Sequence, residues 1–121
     1  MAVAVGGAIG SMARHATNVI VGRFIGHQVP LATTVVNVMG CAAIGMLAGG
    51  IAGGRLHMSL PMRTFVFVGI LGGFTTFSTF GLDTLTLAHE GRPLAAMANV
   101  TVQVGLGLAA VFGGYALVVR S

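Results

Sequence analysis

Lysine and tryptophan are absent from this 121-residue chain, which holds only two carboxylates, Asp83 and Glu90, and one cysteine, Cys41. Each shortage removes a class of function. A lone cysteine cannot close an internal disulfide, and Cys41 sits beside Gly40 in an apolar run, where it reads as a small packing residue. The four histidines are isolated in sequence, so there is no Cys/His metal cluster, no Ser-His-Asp spacing and no Walker loop. An enzyme is therefore not expected. Charged residues make up 7% of the chain, against about 25% in a soluble domain. The net charge of +4 comes from six arginines scattered singly, not from the basic patch that nucleic acid requires.

What is present is apolar. Hydrophobic residues account for 55% of the chain and the mean hydropathy is +0.97. Residues 31–54, 64–82 and 93–119 carry no charge, and each run approaches or exceeds the roughly 20 residues that a membrane helix needs. A fourth run, 3–21, is interrupted only by Arg14 and His15. It lacks a basic leader and holds Arg14 inside, so it is expected as a retained helix and not a signal peptide. The expectation is an all-α membrane protein, a single domain over 1–121, with spans at about 3–22, 31–53, 64–88 and 94–119. Alternating helix direction puts Arg55, Arg63 and Arg120 on one side of the membrane and Arg23 and Arg92 on the other. That is almost no positive-inside bias. Insertion in both orientations, and with it an antiparallel homodimer, is compatible with this balance.

Three of the spans carry polar or small-residue stripes. In the first, Gly7, Ser11, Arg14 and Asn18 share a face, and small residues at that spacing let helices approach. An arginine at the centre of a span costs at least ~2.5 kcal/mol unless it reaches water or a partner. Arg14 either snorkels to the interface or lines an aqueous vestibule that concentrates anions, and both can hold together. Residues 23–30 are expected as a short loop, with Pro30 opening the second helix. Thr33, Asn37, Cys41, Gly45 and Gly49 follow at intervals of four. Asn37 is either interhelical glue or a pair of donors for an anion losing its water. The fourth span has Asn99, Gln103 and Gly107 at the same interval, with Thr101 pointing elsewhere.

The third span is unlike the others. Its centre, residues 72–80, reads Gly-Gly-Phe-Thr-Thr-Phe-Ser-Thr-Phe. The glycine pair serves either close packing or a break at 72–75 whose carbonyls can bind a small hard cation such as Na+. Broken backbone at membrane depth is tolerated only where protein buries it or a cavity adjoins it. Thr76 and Thr79 share a face, and Phe74, Phe77 and Phe80 repeat at i, i+3 and i+6. Phenylalanine edges are electropositive, so rings, hydroxyls and the Asn37 amide together suit an anion, although such a stripe also serves ordinary packing.

These residues resemble the Fluc (CrcB) fluoride channels over nearly the whole chain. Residues 72–80 are similar to that family's third-helix signature, Gly6, Gly7, Gly10 and Arg14 to its first-helix pattern, and Thr33, Val36, Asn37 and Gly40 to its second-helix motif. The resemblance implies four-helix subunits, the third helix broken, in an antiparallel dual-topology homodimer of the prokaryotic inner membrane. Two pores would export fluoride passively and confer fluoride resistance. It further implies that Phe77 and Phe80 present ring edges to the ion and that Asn37 hydrogen-bonds near them. Thr76, Ser78 and Thr79 would line the path, with Thr33, Asn99 and Gln103 as further lining and Arg14 shaping a vestibule. Carbonyls of Gly72 and Thr75 would hold a structural Na+ at the dimer centre. The chain departs from the family pattern at Ala32 (glycine), Gly81 (serine), Asp83 (glutamate), Asn99 (tyrosine) and Gln103 (serine). Two other functions fit a small four-helix membrane protein. A small multidrug transporter needs a carboxylate deep in an early helix, and none precedes Asp83. An accessory subunit would leave the alternation of hydroxyls and rings without a purpose.

Overall fold

The computed structural model describes residues 1–26 and 30–121. The middle of the loop expected at 23–30 lies outside the described residues. The elements in chain order are all helical. They comprise α1 (Ala2–Ile25), α2 (Leu31–Ala52), α3 (Leu60–Arg63), a π-helical segment (Thr64–Leu71), α4 (Gly72–Phe74), α5 (Phe77–His89) and α6 (Pro93–Arg120). From α3 to α5 the chain forms one interrupted third rod. Local chemistry sets the ends. Ser59 accepts from the Met62 amide at the start of α3, Thr76 caps α5, and Pro93 begins α6, where its missing N–H leaves nothing unpaired. Gly54 and Gly91 take positive φ after α2 and α5, a conformation glycine adopts without strain.

Three stretches are long and apolar enough to cross a membrane: Leu31–Ala52, Leu60–His89 and Pro93–Arg120. At 24 residues α1 has the length, but Arg14, His15 and Asn18 lower its hydropathy. Composition thus supports three of the four expected spans. Arg23 lies in the last turn of α1 and not in a loop, where its charge meets the negative end of the helix dipole. The third rod begins at Leu60, earlier than the expected 64, because Ser59 and Pro61 nucleate it.

Two parallel pairs make up the bundle. Along α1 and the third rod, a Cβ on Gly6 would stand 2.6 Å from the Phe65 carbonyl oxygen, and one on Gly10 would collide with the carbonyl of Ile70. Along α2 and α6, Gly45 abuts the Val111 carbonyl, and a Cβ on Gly49 would lie 2.6 Å from that of Tyr115. Cys41 faces Gly107, and Asn37 bonds to Gln103. These four pairs keep one constant offset, so two sequence stripes of period four interlock in register, and the same register sets Asn99 level with Thr33. Val36 is fully buried.

The break is displaced from where the glycines suggest. Gly72 and Gly73 are helical, and the chain leaves the helix at Thr75 (φ −80°, ψ 160°) and Thr76 (φ −152°, ψ 122°). Gly73 is needed for close approach instead: a Cβ there would lie 2.7 Å from the Gly7 carbonyl oxygen. Threonine is β-branched and favours extended backbone. The widened π segment just before the break was not legible in the sequence. Such segments occur mostly as local bulges, frequently at functional sites.

Candidate functional site

The extended backbone at Thr76 exposes one N–H and one C=O that no helix satisfies. Asn37 takes both. Its Oδ1 accepts from the Thr76 amide at 2.9 Å, and its Nδ2 donates to the Thr76 carbonyl at 2.9 Å. Nδ2 also donates to Gln103 Oε1 at 2.9 Å. Gln103 Nε2 donates to Asn99 Oδ1 at 2.9 Å, and Asn99 Nδ2 donates to Thr84 Oγ1 at 2.9 Å. The Thr84 hydroxyl returns its hydrogen to the Phe80 carbonyl at 2.8 Å. A continuous, uncharged ladder of side chains therefore runs from the break, through α2 and α6, and back to α5. Gln103 and Asn99 are buried, at 6% and 7% exposure. Buried amides are tolerated in the apolar interior only with such partners.

Beside the ladder lies a cleft of about 360 Å³ lined by Asn37, Phe67, Gly72, Thr75, Thr76 and Phe77 among others. Phe77 and Phe80 face each other with ring centroids 5.4 Å apart and planes tilted by 49°. Phe77 is 82% exposed, whereas Phe80 is half-buried. Phe74 does not join them as a third member of one stripe. It precedes the break, which rotates the rings after it onto another helix. The Thr76 hydroxyl accepts from the Thr79 amide at 3.2 Å and donates to the Thr79 hydroxyl at 3.1 Å. Ser78 Oγ stands 3.5 Å from it and is exposed. Thr33 is buried at 7% exposure, and Arg14 is half-buried on α1.

No group of three or more His, Cys, Asp or Glu side chains that could hold a metal is found among the described residues. The oxygen donors near the break are carbonyls. In a continuous helix the Gly72 carbonyl would pair with the Thr76 amide and the Thr75 carbonyl with the Thr79 amide. Here the first donor is engaged by Asn37 and the second by the Thr76 hydroxyl. The Gly73 and Phe74 carbonyls lose their helical partners, the amides of Phe77 and Ser78, at the same break, so Gly72 and Thr75 supply two of four such carbonyls. Thr84 is the one member of the ladder that the sequence does not mark as a site residue. Its signal was the interval of four that links Thr76, Phe80 and Thr84 along one face. Asn18 Oδ1 and Asp83 Oδ2 are buried acceptors without a hydrogen-bond partner among the described residues.

Apolar spans around an uncharged polar ladder define a multi-pass membrane protein with a polar interior and no acid or base at its centre. Comparison with known proteins gives its family. Residues 1–115 match the family described as CrcB-like protein, Camphor Resistance (CrcB), and the chain belongs to that family. A relative from Methylobacillus flagellatus, named a fluoride-specific ion channel FluC, is 45% identical over 119 residues, covering 98% of this chain and 92% of its own. Proteins of the same name from Rhodospirillum centenum and Paracoccus denitrificans are 44% and 46% identical. These cover 98% and 93% of this chain and 93% and 87% of their own lengths. The relatives are bacterial, and the chain is a multi-pass protein of a bacterial membrane.

Proposed function

We propose that this protein is a passive, fluoride-selective channel that exports fluoride from the cytoplasm. The observation that carries the reading is the break at Thr75 and Thr76, where the Asn37 amide, the Thr75 and Thr76 hydroxyls and the Phe77 ring line one cleft and Ser78, Thr79 and Phe80 follow in the first turn of α5. A small anion gives up its hydration only where donors replace it. The Thr79 hydroxyl accepts from Thr76, which leaves its own hydrogen to donate, and Ser78 is exposed beside it. Both Asn37 hydrogens are committed, to the Thr76 carbonyl and to Gln103 Oε1, so Asn37 is not the pair of free donors expected from the sequence and serves the cleft by holding the break. The positive edges of Phe77 and Phe80 add contact without a large desolvation penalty. Thr33, Asn99 and Gln103 lie buried along the α2–α6 seam behind the cleft, where the amides back its polar wall, and Arg14 draws anions toward the mouth.

A second copy of the chain in antiparallel orientation completes the assembly in this reading, giving two pores. The exposed Phe77 ring beside an open cleft and the balanced arginines support it. The carbonyls of Gly72 and Thr75 would hold a Na+ between the copies, supplying fixed positive charge that ties the two breaks together. Their chemistry fits such an ion, since hard cations take oxygen ligands.

The test is reconstitution in liposomes with fluoride-selective and chloride-selective electrodes. Fluoride efflux without chloride efflux is expected. Vesicles that retain fluoride as tightly as empty ones would sink the proposal, and proton-driven uptake of an organic cation would favour a multidrug transporter.

A further inference from the structure

The ladder has a direction, and a single atom sets it. The Thr76 backbone N–H can only donate, so the Asn37 atom facing it is Oδ1 and the one facing the Thr76 carbonyl is Nδ2. The remaining Asn37 hydrogen then requires an acceptor, which orients Gln103 with Oε1 toward α2 and Nε2 toward Asn99. Asn99 in turn presents Nδ2 to Thr84, and Thr84 presents its hydrogen to the Phe80 carbonyl. Every link donates the same way. Aligned hydrogen-bond chains of this kind polarise one another. Gln103 is the one link whose two partners sit on opposite sides of the break's support: Asn37 holds Thr76, and Asn99 holds α5.

We propose that Gln103 is a positioning residue. Its carboxamide, caught between Asn37 and Asn99, fixes α5 relative to the break and so sets where Phe77, Phe80 and the hydroxyls stand. It acts through its neighbours and not by touching the ion. This rests on the channel reading above, and the test separates the two.

Glutamate at this position gives a conditional replacement. A protonated carboxyl offers one acceptor and one donor, matching what Gln103 uses toward Asn37 and Asn99. It has no second hydrogen to offer an ion. Ionised, it has acceptors only and faces the Asn99 oxygen. The direct partners, Asn37 and Asn99, are uncharged. Titratable groups on the surrounding elements are Cys41 on α2, Asp83 and His89 on α5, and Tyr115 and Arg120 on α6. A buried glutamate can carry a pKa as high as ~8–9, which places its titration within reach.

Fluoride efflux of Gln103→Glu and Gln103→Met is measured as a ratio to the wild type between pH ~6 and ~9, the range in which a buried carboxyl titrates. Gln103→Met should be slower than wild type by about tenfold at every pH, the equivalent of ~1.4 kcal/mol. Gln103→Glu should approach wild type at the acid end, fall to the Met level at the alkaline end, and recover on re-acidification. Recovery within one preparation shows that the variant is folded. Two results would overturn the proposal: wild-type rates in Gln103→Met, or Gln103→Glu as slow as Gln103→Met throughout. The latter, found together with wild-type exchange at the Thr76 amide, would make Gln103 an ion contact, because the break would then be held and only the hydrogen offered to the ion lost. Silence in the wild type itself would end the channel reading instead. Hydrogen exchange at the Thr76 amide then still decides the positioning role: it should quicken in Gln103→Met, and unchanged exchange would refute it.

Discussion

The two halves of the third rod are held in opposite ways. Before the break, residues 64–74 lie against α1 through missing side chains: Gly6, Gly10, Gly69 and Gly73 let backbone meet backbone. After it, α5 is held by side chains that reach across, with Asn99 bonded to Thr84 and Asn37 to the Thr76 backbone. One half is fixed by what has been taken away and the other by what has been added. The break falls where the two modes meet, so its geometry depends on both. Atoms added before it, or removed after it, should do the damage.

The largest effect is expected before the break. In Gly10→Val the new Cβ would run into the Ile70 carbonyl, a backbone atom that cannot swing aside. Overpacking of this kind costs up to ~3 kcal/mol or more. The folded yield and thermal midpoint in detergent should collapse, and a stable Gly10→Val protein would show that α1 is not held as described.

After the break, removal is the sharper tool. Asn37→Ala leaves the Thr76 N–H and C=O without partners, at about 1–3 kcal/mol for buried groups. Phe80→Ala opens the ring pair yet leaves the ladder in place, because its link is the Phe80 backbone carbonyl. Both variants should depress fluoride efflux and still assemble. Asn37→Ala should lose thermal stability and Phe80→Ala less, as that ring is only partly buried. Equal thermal losses would erase the distinction between clamp and ring. Thr84→Val, which removes only the last rung, should have a smaller effect, near the ~0.6 kcal/mol average for interhelical hydrogen bonds in a membrane. A double variant with Gln103→Met should then lose less than the two singles combined, because Asn99, no longer oriented by Gln103, already holds Thr84 less firmly.

Spans and stripes were legible in the sequence because both are periodic. Charge-free runs marked α2, the third rod and α6, and intervals of four put Asn37 on one stripe of α2 and Gln103 on one stripe of α6. Neither stripe said which rung would face which, since register depends on the helices' relative height. That height is set by backbone contacts at Gly45 and Gly49. The break was displaced because two demands compete at glycine. Gly73 could open the helix or let Gly7 approach, and the packing demand won. Extended backbone then fell to Thr75 and Thr76, where Asn37 satisfies the exposed amide. The π segment has no periodic signature at all, and Thr84 looked like any other hydroxyl until its partner on α6 was known.

The smallest expected effect is the most discriminating for assembly. Gly81 lies in α5, exposed, with no atom within 4 Å of the position a Cβ would take. Within one subunit, Gly81→Ala should therefore be neutral or slightly stabilising, as alanine is favoured over glycine in a helix interior by up to ~1 kcal/mol. A second copy packed over this part of α5 would change the sign, because the added methyl would then meet a neighbour. A thermal midpoint equal to or above wild type leaves Gly81 facing lipid or water. A lowered midpoint, together with weaker cross-linking between copies, places the partner subunit on the face that carries Phe77 and makes the comparison between the two halves a property of the dimer.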